Sequence, residues 1–351
     1  TQRPEWNDAN NALVGNGVSM VTLYYLHRFF RFMETIFDNQ PDSASYEVST
    51  ELLNLFEAIQ IVLETHQHSL SDSFSNKLRK SITDALGIAG SEYRQEVYFQ
   101  SFSGIKKGIT AKQLLSFSEL VLKYLRHSID ANRRSDDMYH AYNLMRVDNE
   151  NEISISYLDE MLEGQVAVLS SRYLNTEESL RVLDAMKSSK LFREDQYSYM
   201  LYPDKDLPPF LEKNLIPEER VHSSELLKAL VENQNRQIIE KDVKGQYHFN
   251  GSFNNAESLK AALRELPSSY DEFVKKEEVL LLDIFEAVFN HRAFTGRSGT
   301  FFGYEGLGSI YWHMVSKLLL AVQECSLEAI EAGESKDVVG RLLEHYYEIN
   351  E

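Results

Sequence analysis

The chain is 351 residues long and 43% hydrophobic, with 54 acidic against 36 basic residues and a formal net charge of -18. That much apolar sequence supplies one large core or two moderate ones, and so acidic a surface repels phosphate backbones, which excludes nucleic-acid binding through a general basic face. Cys325 is the single cysteine, so no intramolecular disulfide and no thiolate metal site form; no run approaches about 18 consecutive apolar residues, so no membrane partner is expected, and a reducing cytoplasm is the expected compartment.

The first residues read RPEWNDANNALVG, Arg3 to Gly15. Helix-period apolar residues then recur over 18–37, 47–66, 72–87, 110–131, 153–171 and 175–188. Thr110 with Gln113 and Asn175 with Glu178 are capping pairs. The segment YPDKDLPPFLEKNLIP holds four of the seven prolines and reads as an ordered, irregular connection. A helix over 222–233 follows. One stretch reads clearly as strand: Ile238–Lys241 and Gln246–Phe249 flank a turn ending at Gly245. Helical patterns over 255–266, 269–291, 307–331 and 336–349 complete the chain, with Ser269 and Glu272 as a third capping pair. The expected fold is mainly all-α: an α/α arrangement of paired antiparallel helices with one small β-hairpin. No fixed-period repeat supports a helical-repeat scaffold.

Three stretches concentrate chemistry. In EWNDANN, Asp8 or Asn10 would serve as an N-cap for the next helix. Alternatively, Trp6 stacks on a pyranose while carboxylates and amides bond its hydroxyls, and the indole wall pushes a neighbouring carboxyl toward the protonated form that a general acid needs. In EMLEGQVAVLSSR, Glu160 to Arg172, the glycine of Glu163-Gly164-Gln165 marks either a local kink or a place where backbone or ligand comes close. From His291, HRAFTGRSGTFFGYEGLGSIYW puts five glycines into the thirteen residues Gly296–Gly308. Glycine-rich loops before a helix expose N–H groups to anions, and Arg297, Ser298 and Thr300 add charge and hydroxyls. The other reading is a tight crossover with Glu305 on the surface. No P-loop is present, for GK[ST] is missing. His66 and His68 do not share a helix face, so no metal site is expected. Asp136-Asp137 reads as a solvated turn.

Taken together, the three stretches resemble a known family. EWNDANN looks like the DWNDGMN motif of inverting glycoside phosphorylases of the cellobiose and chitobiose phosphorylase type. LEGQVAVLSS resembles their ENGGQYTHAA segment, and SGTFFGYEGLGSIYW lies where their GGWTWYTGSAGWMYR would fall. The order is the same, the gaps are comparable, and the likeness spans most of the chain. By overall likeness the chain resembles a diverged branch such as the bacterial β-1,3-oligoglucan phosphorylases.

The resemblance implies that residues 1–351 are the C-terminal portion of an (α/α)6 catalytic barrel, with an irregular insertion and hairpin around 200–253. The missing N-terminal part of the same enzyme and an oligosaccharide substrate are then the expected partners, with a homodimer as a further option. It makes Asp8 the general acid and Glu5, Asn7, Trp6, Glu163 and Gln165 sugar contacts, with Glu305 and Trp312 beside them. No cofactor is implied; inorganic phosphate is the co-substrate. Two family positions differ: the phosphate-contacting His falls near Val168, and the Thr-Gly pair near Tyr304-Glu305. Arg297, Ser298 and Thr300 are phosphate candidates from the glycine-rich loop alone. The expected reaction is reversible, inverting phosphorolysis of β-glucosidic bonds to α-glucose 1-phosphate. One alternative is an inverting hydrolase, which needs a second carboxylate roughly 6.5–9.5 Å from the first, with Glu305 or Glu163 as candidates. The other is a non-catalytic helical carbohydrate-binding domain.

Overall fold

The computed structural model describes residues 17–201, 203, 208–290 and 309–350, with 309–311 as backbone only. The chain divides into two compact units, Thr1–Asp204 with Phe294–Glu351 and Lys205–Ala293. Helix dominates both, and the strands are short and antiparallel.

In chain order the first unit begins β1 (Gly17–Ser19), α1 (Met20–Asp38), β2 (Ser45–Ser49), α2 (Thr50–His66), α3 (Asn76–Gln95), β3 (Lys106–Thr110) and α4 (Ala111–Asp130). It continues with β4 (Tyr142–Asn149), β5 (Glu152–Tyr157), α5 (Leu162–Leu169), α6 (Thr176–Ser188), β6 (Phe192–Arg193) and β7 (Ser198–Tyr199). The second unit holds α7 (Phe210–Lys213), α8 (Glu218–Ser223), α9 (Glu225–Glu232), β8 (Ile239–Lys241), β9 (Tyr247–Phe249), α10 (Ala256–Arg264) and α11 (Asp271–Phe289). The chain then returns to the first unit with α12 (Ser309–Glu331) and α13 (Lys336–Asn350).

Local chemistry sets most helix starts. Ser19, Ser49 and Ser75 each accept the backbone N–H three residues on, at 3.2 Å, satisfying a donor the helix itself cannot. The capping boxes at Thr110–Gln113 and Asn175–Glu178 are both formed. Ser269 does not cap. Pro267 leads into a 3-10 turn, Ser268–Tyr270, and α11 starts only at Asp271.

More strand is present than the single expected hairpin. The first unit contains a three-stranded β1-β4-β5 sheet and the pairs β2-β3 and β6-β7. The expected helix over 153–171 is strand at its start and helix only in α5. There Ile153 and Ile155 alternate with serines, a period of two, and Glu150–Asn151 turn the chain back along β4. The other strands have two to five residues, too few for periodicity to show.

Three helices of the first unit run in one direction. At the start of α1, the Met20 N–H donates to Ala141 O at 2.9 Å, and Ala141 lies against Gly164 at the start of α5. Further along, Arg28 Nη1 donates to Ser170 O, just past the end of α5, at 3.2 Å. So α1 and α5 are parallel. Cys325 Sγ sits 3.8 Å from Leu169 O and Arg172 Nε 3.1 Å from Glu328, so α12 runs with α5 too. Arg28 also makes a two-pronged pair with Glu324 of α12, at 2.7 and 2.8 Å. Behind them, α4 runs against α1, with Phe30 on Phe117 and Asn143 bridging Asn132 to Met20. α13 folds back along α12 through a turn at Gly333 (φ 72). It is tied to α6 by Arg341 and His345 on Asp184 and by Lys187 on Glu348. α5 is buried at every position but Glu163, as a helix enclosed by others must be.

The second unit has its own core, in which Leu226, Leu230, Ile238, Leu259 and Leu281 are 0% exposed. The expected hairpin is formed by β8 and β9, with Gly245 (φ 84) in its turn. Buried Asn214 grips β9 from both sides, donating to Phe249 O at 2.7 Å and accepting from Phe249 N at 2.9 Å. The expected helix over 222–233 breaks at Ser224. Buried Glu277 of α11 accepts the Ser224 hydroxyl (2.6 Å) and the N–H groups of Glu225 and Leu226 (3.1 Å each), so a carboxylate from a distant helix caps α9. The unit reaches Ala293, well past the 200–253 expected for the insertion, because α10 and α11 share the hairpin's core.

Candidate active site

The stretch Glu163-Gly164-Gln165 docks residue by residue onto the segment 139–142. Glu163, at the first turn of α5, accepts the Tyr142 hydroxyl at 2.7 Å. Gly164 lies flat on Ala141: a Cβ there would stand 2.9 Å from both the Cα and the Cβ of Ala141. Gln165 is 0% exposed. Its Oε1 accepts Tyr139 N–H at 2.9 Å, and its Nε2 donates to Tyr139 O at 2.7 Å and to Met161 O at 3.0 Å. The sugar contact expected of Gln165 therefore meets a side chain committed to the backbone; here it registers α5 against the chain ahead of β4. The close approach that the glycine allows is backbone against backbone, not ligand.

The same segment anchors α1. Ala141 O takes the N–H groups of Met20 and Val21, at 2.9 and 3.3 Å, and the buried Tyr24 donates its hydroxyl to His140 O at 2.7 Å. Ser19, the last residue of β1, pairs with Tyr142 across the sheet. Glu163 thus sits where β1, β4, α1 and α5 meet. Its neighbours are electrostatically coupled: the Tyr25 phenol is pushed above its ordinary value by burial first and then by the Glu163 charge, with Arg28 opposing and Glu324 adding to the rise.

Trp312 stands in the first turn of α12 and is 65% exposed. Glu5, Trp6, Asn7, Asp8, Arg297, Ser298, Thr300 and Glu305 lie outside the described residues. Two cavities, of about 490 and 590 Å³, are lined among the described residues by no candidate site residue, though Arg172, the last residue of the second stretch, borders the first. One is lined by Arg28, Arg31 and Arg172 near the C-terminal ends of the parallel helices, the other by Lys77, Lys80 and Asp84 of α3. Among the described residues no group of three or more His, Cys, Asp or Glu is placed to hold a metal, and no helix is long and apolar enough to cross a membrane. Asp136 accepts from Arg134 and from the Met138 N–H, and Asp137 turns the chain at φ 63.

Residues 207–292 match the family model described as GH149 phosphorylase insertion domain 2. The match supports a glycoside phosphorylase of the GH149 type. Its limits fall within two residues of the second compact unit, Lys205–Ala293, so the GH149-type insertion and the separately cored unit are one segment of chain. No curated protein matches the chain.

Sequence reasoning missed Tyr142 and Tyr25. Tyr142 is buried and Tyr25 is partly exposed, and both stand in apolar runs of sequence where nothing in the local pattern sets them apart from neighbouring aromatics. Their relation to Glu163 exists only across the fold.

Proposed function

We propose that this chain is part of an inverting glycoside phosphorylase acting on β-linked gluco-oligosaccharides, and that the three motif stretches build its active site. The observation that carries the proposal is the GH149-type insertion lying in the chain between the second and third motifs. A second observation supports it: each motif leads into one of three parallel helices, of which α1 and α12 both pack on α5, the first motif into α1 through β1, the second into α5, the third into α12. Their N-terminal ends point the same way, as helices bordering one mouth of an (α/α)6 ring would. The exposed faces of α1, with Tyr25, Phe29 and Phe32 at 39, 51 and 62% exposure, are the surface on which further helices of that ring would close.

In the proposed reaction Asp8, protonated, donates to the glycosidic oxygen as the bond to the anomeric carbon breaks. An oxygen of inorganic phosphate bonds the same carbon from the opposite face, so a β-linkage yields α-glucose 1-phosphate. The nucleophile is already an anion, and no general base is required. Glu163, Trp6, Glu5, Asn7 and Trp312 hold the sugar, with Glu305 beside it; Arg297, Ser298 and Thr300 hold phosphate; Gln165 holds α5 in register beneath them.

The test is phosphate dependence. The enzyme is incubated with β-1,3-linked gluco-oligosaccharides with and without inorganic phosphate, and the released sugar is identified. Activity should require phosphate, yield α-glucose 1-phosphate, and disappear in both directions in Asp8→Asn. Equal release of free sugar without phosphate would overturn phosphorolysis and make Glu305 the leading general base of a hydrolase.

A further inference from the structure

We infer that Tyr142 is the positioning residue for Glu163, fixing its carboxylate relative to the strand that leads from the first motif. The inference rests on the reading of Glu163 as a sugar contact and goes beyond it by naming the group that aims that contact.

Three observations carry it. The Tyr142 side chain is 0% exposed, so its hydroxyl is tied to protein partners; it donates to Glu163 Oε2 at 2.7 Å. A hydrogen bond to a charged oxygen is directional and stronger than one between neutral groups. A carboxylate has two oxygens in one plane, so holding one sets the direction of the other. Second, the backbone of Tyr142 is itself held by strand pairing, for it opens β4 in register with Ser19 of β1. Third, the turn just ahead of Tyr142 is clamped by Gln165 on Tyr139 and by Ala141 O on the first N–H groups of α1. One residue therefore ties the second motif by its side chain and the strand following the first motif by its backbone.

The alternative is that Tyr142 merely satisfies its hydroxyl with the nearest acceptor. A purely structural bond would change stability and leave the kinetic coupling to Glu163 untouched, and a double-mutant cycle separates the two. KM and kcat for a gluco-oligosaccharide are measured for Tyr142→Phe, Glu163→Ala and the double variant, alongside thermal melts. Tyr142→Phe should raise KM about tenfold, the scale of one hydrogen bond to a charged group, with kcat nearly unchanged. On the Glu163→Ala background it should add nothing further to KM. An unchanged KM in Tyr142→Phe, or effects that multiply in the double variant, overturns the inference. If Glu163→Ala itself leaves KM unchanged, the sugar-binding reading of Glu163 fails first, and that result is distinct. Should Tyr142→Phe not fold, replacing Tyr142 by 3-fluorotyrosine acidifies the phenol while keeping its shape. KM should then fall, and an unchanged KM overturns the inference equally.

Discussion

Gly164 is fixed by contact rather than by backbone angle. Its helix lies so close to Ala141 that a methyl group would meet backbone and side-chain atoms at 2.9 Å, neither of which is the end of a flexible side chain. Gly164→Ala should therefore destabilise the first unit by about 1–3 kcal/mol, the usual cost of overpacking a filled core. The helix preference of alanine offsets only part of this. A urea melt reads the loss, and an unchanged midpoint would show that α5 can move away from the segment 139–142. Gln165 completes the same contact with a buried amide that replaces a strand partner for Tyr139. Cys325, by contrast, is inert at this scale: burial pushes its thiol up to about 12, far from the thiolate range of a reactive cysteine.

Among the elements, the β2-β3 pair shows how a short strand is held without a large sheet. Thr50 at the start of α2 donates its N–H to Ile105 O at 3.0 Å, and Ala111 N–H reaches Ala44 O at 2.8 Å, so the strand ends are tied at both sides. Buried Glu51 accepts the Ser103 N–H at 2.7 Å in the turn ahead of β3. Hydrogen bonds from the Ser103 hydroxyl and then from its backbone N–H hold the Glu51 carboxyl down at about 2. In the unfolded chain a glutamate titrates near an ordinary value of about 4.3. The folded value is the lower one, so the stability Glu51 contributes is complete above the unfolded value and is lost as pH falls through the folded one. Glu51→Gln should then be less stable than the parent protein at pH 7, and the gap should narrow steadily as pH falls below about 4. Paired urea melts across that range check this; a gap independent of pH would mean that the charge of Glu51 is not what matters.

At the scale of the whole molecule, the segment Lys205–Ala293 is built as a domain within a domain. It encloses Leu226, Leu230, Ile238, Leu259 and Leu281 completely, caps α9 with its own Glu277, and closes its hairpin with its own Asn214. A segment with its own core and internal caps should fold alone. Residues 205–293, expressed by themselves, should give one cooperative thermal transition with helical circular dichroism. A gradual, non-cooperative melt would show that the rest of the chain is needed to order it.

Much of this was legible in the sequence, because helix period, capping pairs and turn glycines act over a few residues and leave local marks. Most of the helices, the capping boxes at Thr110 and Asn175, and the hairpin ending in β9 rest on such short-range chemistry. The sequence also ordered three motif stretches along the chain, and the match over 207–292 supports a glycoside phosphorylase of the GH149 type. Only tertiary structure decided the rest. An amphipathic pattern says that α10 and α11 bury a face but not against what, and they bury it against the hairpin of the second unit. The short strands β1, β2 and β3 come from pairing partners far along the chain, which no local window contains. Tyr142 became visible as a functional candidate for the same reason: what singles it out is a hydroxyl 2.7 Å from Glu163, and a hydrogen bond between residues on separate elements is a property of the fold, not of either residue's neighbours in sequence.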